Sequence, residues 1–175
     1  MILETERLYL RELNQGDFDA LCRMLKDPEV MYAYEGAFSD GEAHAWLDRQ
    51  IRRYRMWGFG LWAVIEKETG SLIGQCGLTM QPWRDTEVLE IGYLLCRAYW
   101  RRGYAAEAAE ACRQYAFETL GAGEVCSIIR DTNTASQRVA LQIGMERRDS
   151  WTKRYRGVDM PHHRYVVRRD REETP

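Results

Sequence analysis

The stretch WRRGYAAEAA, residues 100–109, sets two arginines and a glycine directly ahead of an alanine-rich run. The first turn of a helix already carries a partial positive charge, so arginines there oppose the helix dipole unless something negative binds. A helix start also exposes unpaired backbone N–H groups, which suit phosphate. Gly103 lets the backbone approach a ligand with no Cβ in the way, and Ala105 and Ala106 keep the first turn narrow. Arg101 and Arg102 add charge where those N–H groups point outward, an arrangement that fits two linked phosphates. The plainer alternative is a solvated basic turn before an ordinary amphipathic helix, because short glycine motifs are unspecific. The chain contains neither G-x-x-x-x-G-K-[ST] nor G-x-G-x-x-G.

Working outward, Ala105, Ala108, Ala109, Cys112 and Ala116 recur at three and four, which predicts a helix over about 105–120, closed by Gly121. A stripe that small lets the helix lie close to a sheet. Upstream, LWAVIE from Leu61, SLIGQCGLTM from Ser71 and EVLEIGYLL from Glu87 read as strands. Glu68-Thr69-Gly70 and residues 81–85 are expected to be the turns between them. Nearer the start, Leu8 to Arg11 alternates as a strand, and Asn14 caps a helix over about 15–26 that Asp27-Pro28 stops. Ser39 and Glu42 form a capping box for a helix to about Trp57, with Ala43, Trp46, Leu47, Ile51 and Tyr54 on one face. Downstream come a strand EVCSIIR, a helix over about 133–143 closed by Gly144, and strands over 145–151 and 164–168. The order implies an α+β domain around a mixed, mostly antiparallel sheet of about six or seven strands flanked by about four helices.

The chain's 175 residues suit one domain, expected over 1–169, with a frayed tail at 170–175. A net charge of −2 argues against a nucleic-acid partner, and no apolar run approaches the roughly 20 residues that span a membrane. The opening MILETERLYLREL has charges where a secretory signal needs an apolar stretch, so the expected location is cytoplasmic. Five cysteines (Cys22, Cys76, Cys96, Cys112 and Cys126) are scattered with no C-x-x-C pair, which reads as reduced thiols rather than disulfides or zinc. His162 and His163 are adjacent, so on a strand they face opposite ways; with His44 they make no metal site. A monomer and a homodimer are both open.

EIGYLLCRAYWRRGYAAEA (90–108), followed by NTASQRVALQIGM (133–145), resembles the acetyl-CoA signature of GNAT-type N-acetyltransferases. The opening MILETERLYLREL is similar to the branch that contains the ribosomal-protein N-terminal acetyltransferases, so the likeness spans nearly the whole chain. The family's Q/R-x-x-G-x-G/A pattern binds the coenzyme's pyrophosphate. Its last two positions fall on Gly103 and Ala105, and its first on Trp100, a departure that a backbone-based loop tolerates. The resemblance implies N–H groups of Arg102, Gly103, Tyr104, Ala105 and Ala106 on the phosphates. It also implies a splayed strand that lays Tyr93, Leu94 and Leu95 along the cofactor, with Gly92 suited to the splay point. Asn133 matches the family's cofactor-contacting asparagine; as a residue, it is also a helix N-cap.

Acetyl transfer to an amine requires a base for the amine's proton and a stable leaving thiolate. Alternation puts Glu90 on one strand face with Val88, Gly92 and Leu94, unusual company for an acid unless that face meets a cleft. Similar enzymes carry a glutamate here as a base acting through water; the alternative is a paired or solvent-facing carboxylate. Many relatives place a tyrosine acid where this chain has Ala140, and the branch offers a serine instead, which Ser136 matches. Without a family role, Ser136 is an ordinary first-turn serine. A thiol of pKa about 8.5 leaves tolerably well unaided, and losing an acid costs about 10²–10⁴ in rate. Neutralising an α-amine at pH 7 costs about 1 kcal/mol against about 4.6 for a lysine, which favours a peptide N-terminus or a small amine of low pKa. The loop MYAYEGAFSD (31–40) supplies Tyr32, Tyr34, Glu35 and Phe38 to receive a cationic, partly apolar acceptor, or to anchor the first two helices. The rival readings are a small-molecule acetyltransferase for polyamines, amino acids or aminoglycosides, and a coenzyme-A-binding sensor that Ala140 has cost its catalysis. A thiol near the cofactor strand, Cys96, keeps an acyl-enzyme route open.

Overall fold

The computed structural model describes residues 1–169; the expected frayed tail lies outside the described residues. The chain starts with two short strands, β1 (Leu3–Glu4) and β2 (Leu8–Arg11). Asn14 caps as expected, but the next three residues, Gln15–Asp17, form a tight 3₁₀ turn, so helix α1 is only Phe18–Leu25. The Asp17 carboxylate explains the tightening: it accepts from the Asn14 N–H at 2.9 Å and from both Arg11 terminal nitrogens at 2.8 Å. Helix α2 (Asp40–Trp57) carries the expected Ser39–Glu42 box and ends at Gly58. Its buried face includes Gln50 in place of Ile51, a polar residue kept inside by donors from Leu61 and Arg53.

Strands β3 (Leu61–Glu66), β4 (Leu72–Trp83) and β5 (Thr86–Leu95) follow as antiparallel neighbours. The second turn is shorter than expected, because Pro82 and Trp83 stay paired with Glu87 and Thr86. Helix α3 (Tyr104–Glu118), strand β6 (Glu124–Arg130) and helix α4 (Thr134–Gln142) come next. The last two strands, β7 (Glu146–Tyr155) and β8 (Val158–Arg168), form one long hairpin, well beyond the two short strands expected. Its turn is Arg156-Gly157, both residues at positive φ, which matches a two-residue hairpin loop.

All eight strands join one sheet in the order β1-β2-β3-β4-β5-β6-β8-β7. With four helices this is the α+β class expected, the strand count raised by β1. Helices α1 and α2 cover one face and α3 and α4 the other. Trp46 of α2 donates to Gln75 of β4, whereas Cys112 of α3 meets Cys76, the next residue, across the sheet. All five cysteines are free thiols. The expected alanine stripe of α3 is buried at Ala108, Ala109, Cys112 and Ala116. Fully buried Trp62, Leu78 and Leu8 fill the core, at about 1.5–3 kcal/mol per large apolar side chain. The sheet has one parallel join, β5 with β6, held by a single pair, Glu90 with Cys126. The site lies at that join.

Candidate active site

Beyond the Glu90–Cys126 pair the two strands part. Gly92, Tyr93, Leu94 and Leu95 remain paired to β4 on one side, with no partner from β6 on the other. Side chains stitch the apex of this split. Ser127 donates its hydroxyl to the Ile91 carbonyl at 2.8 Å, and the Ile128 N–H donates to Glu90 Oε1 at 3.2 Å. Since the Ile91 carbonyl faces β6, alternation turns the N–H and C=O of Tyr93 into the opening. A Cβ added to Gly92 would lie 3.1 Å from Leu61 Cδ2, so a side chain there would press on β3 and enter the α2-side space that Gly92 lines.

Two cavities meet at this split. On the α4 side lies a groove of about 600 Å³. Its floor and rim include Tyr93, Leu94 and Leu95 from β5, and Arg101, Gly103, Tyr104, Ala105 and Ala106 from the start of α3. Asn133 and Ser136 complete its α4 wall. Gly103 has φ +79° and caps α3 with no side-chain partner, and no backbone carbonyl accepts from the N–H groups of residues 101–106. Those donors are orphans of the kind that bind an anion. The opposing carboxylate, Glu107, is turned away onto Arg7 at 2.6 Å and onto Thr5.

Arg102 departs from expectation. Its guanidinium sits 5.5 Å above the Tyr99 ring and its carbonyl accepts from Arg7, so its side chain does not line the groove; only its N–H faces the helix start. Sequence reasoning missed Tyr99, Trp100, Arg138 and Gln142 on the groove wall. Thr134, Arg138 and Gln142 recur every four residues, so helical spacing from Asn133 was the usable signal. Asn133 does act as N-cap, its Oδ1 accepting from the Ser136 N–H at 3.1 Å. Tyr93 donates its hydroxyl to the Ser136 carbonyl at 2.7 Å, which ties α4 to the split strand. Ala140 is fully buried on α4, so that position offers no acid to the site.

On the α2 side lies a cavity of about 330 Å³. Val30, Tyr93, Leu94, Asn133 and Ser136 line both spaces, so the two communicate at the split. Glu90 faces this second cavity beside Thr79, whose hydroxyl donates to Oε2 at 3.3 Å. It is half-buried. Burial raises its pKa above the usual carboxylate range, against the pull of Lys153, the Ile128 N–H, Thr79 and Arg53.

The acceptor loop is divided. Tyr34 and Phe38 line the α2-side cavity, and burial holds the Tyr34 hydroxyl above the ordinary phenol range. Tyr32 lines the groove instead. Glu35 lines neither: its carboxylate pairs with Arg130 at 2.7 Å, so it cannot meet a cationic acceptor. The aromatics also serve as anchors, Tyr34 packing edge-on to Trp46 and Phe38. Arg49, Arg53, Lys153, Tyr155 and His162 line the cavity without having been anticipated. The hairpin tip crosses to α2, where Arg156 bonds Glu42 and stacks over Phe38. Cys96 lines neither cavity, and burial pushes its thiol up, which leaves little thiolate for an acyl-enzyme. His162 faces the cavity while His163 bonds Ser150, so the pair does point opposite ways.

The model of the GNAT-type acetyltransferase domain matches residues 7–146. The chain belongs to the GNAT acetyltransferase family, and is thus an enzyme of the N-acetyltransferase type. The Bacillus subtilis (strain 168) protein YkkB is 38% identical over 144 residues, covering 82% of this chain and 84% of that protein. An acetyltransferase from Agrobacterium tumefaciens C58 superposes with a TM-score of 0.79 at 32% identity, covering 95% of this chain and 94% of that one. RimL, an α-N-protein acetyltransferase of a ribosomal protein solved in complex with coenzyme A, shares the fold with a TM-score of 0.78. It is 15% identical, with 97% of this chain and 98% of that one covered. Among the described residues, no helix is long and apolar enough to cross a membrane.

Proposed function

We propose that this GNAT acetyltransferase moves an acetyl group from acetyl-CoA to a primary amine of low pKa, by direct attack with both substrates bound. The observation that carries this reading is the meeting of the two cavities at the split between β5 and β6. Orphan N–H groups lie on one side of that split and a half-buried carboxylate on the other. The groove fits the cofactor: N–H groups of residues 102–106 suit its diphosphate, Arg101 and Arg138 add charge, and the free edge of Tyr93 suits its amide arm. Acetyl-CoA supplies an acyl thioester when bound.

The chain's own residues do the rest. Glu90 takes the amine's proton, directly or through a water, and its raised pKa brings the base nearer working pH. The Tyr93 N–H, turned into the split, polarises the thioester carbonyl. Ser136, on the wall shared by both cavities, hands a proton to the leaving sulfur. Gly92 keeps the approach between Glu90 and the split free of a side chain.

The acceptor expected first was a peptide or protein N-terminal α-amine. The hairpin tip borders the α2-side cavity, where Arg156 joins Glu42 and Tyr155 packs edge-on to Tyr34 at 6.5 Å, and a free small molecule is the second reading beside the peptide N-terminus. The test is thiol release from acetyl-CoA by the full chain against a panel of free amines and short peptides. Release that needs an amine, and yields the N-acetyl product, is the expected result. Tight coenzyme A binding with no acetylated product from any amine would instead establish the sensor reading.

A further inference from the structure

We infer that the acceptor carries an anionic group, a carboxylate or a like acid, within a few bonds of the amine that is acetylated. This deepens the proposed function and rests on it for the site's role as an acceptor cavity. The α2-side cavity is strongly cationic although the whole chain carries a net charge of −2. Arg49, Arg53 and Lys153 line it, and among the described residues none of the three has a carboxylate within 4.0 Å. Arg130 also lines it, but Glu35 already neutralises that charge at 2.7 Å. His162 donates from Nδ1 to Met160's carbonyl at 2.8 Å and adds no anion. Among the described residues Glu90 is the one carboxylate in the lining, and it can offset only one of three charges.

A second observation points the same way. Gln75 lines the cavity and is fully buried. Its Oε1 accepts from Trp46 at 3.1 Å, which fixes the amide orientation, yet its Nε2 has no partner. A buried donor without an acceptor is costly, and a ligand oxygen within its reach would offset that cost. Cations without a carboxylate partner and an orphan N–H₂ in one small space call for an anion or a polar oxygen, not for an ammonium-rich ligand. Arginine stays charged at any working pH, so the demand persists. Arg53 is held in place through Gln50 at 3.2 Å, and Arg49 lies over the Trp46 ring at 5.3 Å. Glu90 would then take the amine end and the arginines the acid end. A polyamine fits this space badly, and an amino acid or an acidic N-terminus fits it well.

The experiment compares matched acceptors at saturating acetyl-CoA: aspartic acid α-amide against asparagine α-amide, Asp-Ala-Ala-amide against Asn-Ala-Ala-amide, and putrescine. Binding of the N-acetylated forms of the two α-amides in the presence of coenzyme A is measured by calorimetry, a readout that needs no turnover. The acidic member of each pair is expected to have about tenfold higher kcat/KM, and N-acetylaspartic acid α-amide to bind more tightly than N-acetylasparagine α-amide. R53Q and K153Q should cut that preference to about twofold or less, with KM for acetyl-CoA unmoved. Preference in the single-residue amides alone would assign the anion to a small molecule, and preference in the peptides alone to an acidic N-terminus. Equal rates and equal binding within each pair, or a preference for putrescine, would overturn the inference while leaving the acetyltransferase reading intact. Selective binding of N-acetylaspartic acid α-amide without turnover of any amine would support the inference and sink the proposed reaction.

Discussion

The groove on the α4 side of the split draws nearly all its lining from two short runs of chain, 93–106 and 133–142. The cavity on the α2 side draws on two helices, four strands of the sheet's middle and the last hairpin. The groove offers backbone: orphan N–H groups at a helix start and an unpaired strand edge. The cavity offers side chains, with Glu90, two unpaired arginines and a lysine. Backbone recognition reads a cofactor common to a family, whereas side-chain recognition is free to vary with the acceptor. If that division holds, substitutions on the two sides should separate chemistry from cofactor affinity.

The largest effect is expected at Glu90. E90Q should lower kcat by about 10²–10⁴, the ordinary worth of a general base, while coenzyme A affinity stays within about twofold. Comparable losses in both would merge the two regions into one. Next comes G103V, on the other side. Gly103 sits at φ +79°, where a β-branched residue is strained, and an added Cβ would lie 3.4 Å from the Arg7 guanidinium, so the turn that presents the N–H groups should shift. Coenzyme A should bind about tenfold more weakly, with kcat at saturation much less changed; unaltered affinity would contradict the placement of the phosphates.

Smaller effects follow from the pH dependence of Glu90, whose pKa burial raises. The acidic limb of the rate profile should lie above the ordinary glutamate value of about 4.3 and flatten in E90Q. The native state holds its proton more tightly than the unfolded chain, so stability falls as pH rises through the native pKa. E90Q escapes that loss: its melting temperature should gain on the wild type as pH rises from about 4 to 7. A constant gap would place the carboxylate in a water-like setting. The smallest effect is expected for C96A, since Cys96 lines neither cavity: activity should be unchanged, and a large loss would revive an acyl-enzyme.

The contrast between the regions also explains what the amino-acid sequence reveals. The groove was legible because caps, glycines and small residues act over a few positions. Gly103, Asn133 and the Ser39–Glu42 box all do what local chemistry says. The split at Glu90 was placed from a resemblance plus one glycine. The cavity was largely illegible. Lys153, Tyr155 and His162 come from the β7–β8 hairpin, whose ERRDSWTKRY strand is mostly exposed and lacks apolar alternation over much of its length. Glu35 looked available because its partner, Arg130, lies on a distant strand. Arg49 and Arg53 lie one helical turn apart on α2, on the flank of a face read only for its apolar residues.

The division of labour across the split is tested most directly by a crystal structure with coenzyme A and an N-acetylated acid bound. The predicted result puts diphosphate oxygens within about 2.7–3.2 Å of amide nitrogens in residues 102–106, the sulfur at the split beside Tyr93, and the product's acid on Arg49, Arg53 or Gln75 Nε2. A diphosphate seated away from the start of α3, or a product whose amide lies out of reach of Glu90, would contradict it.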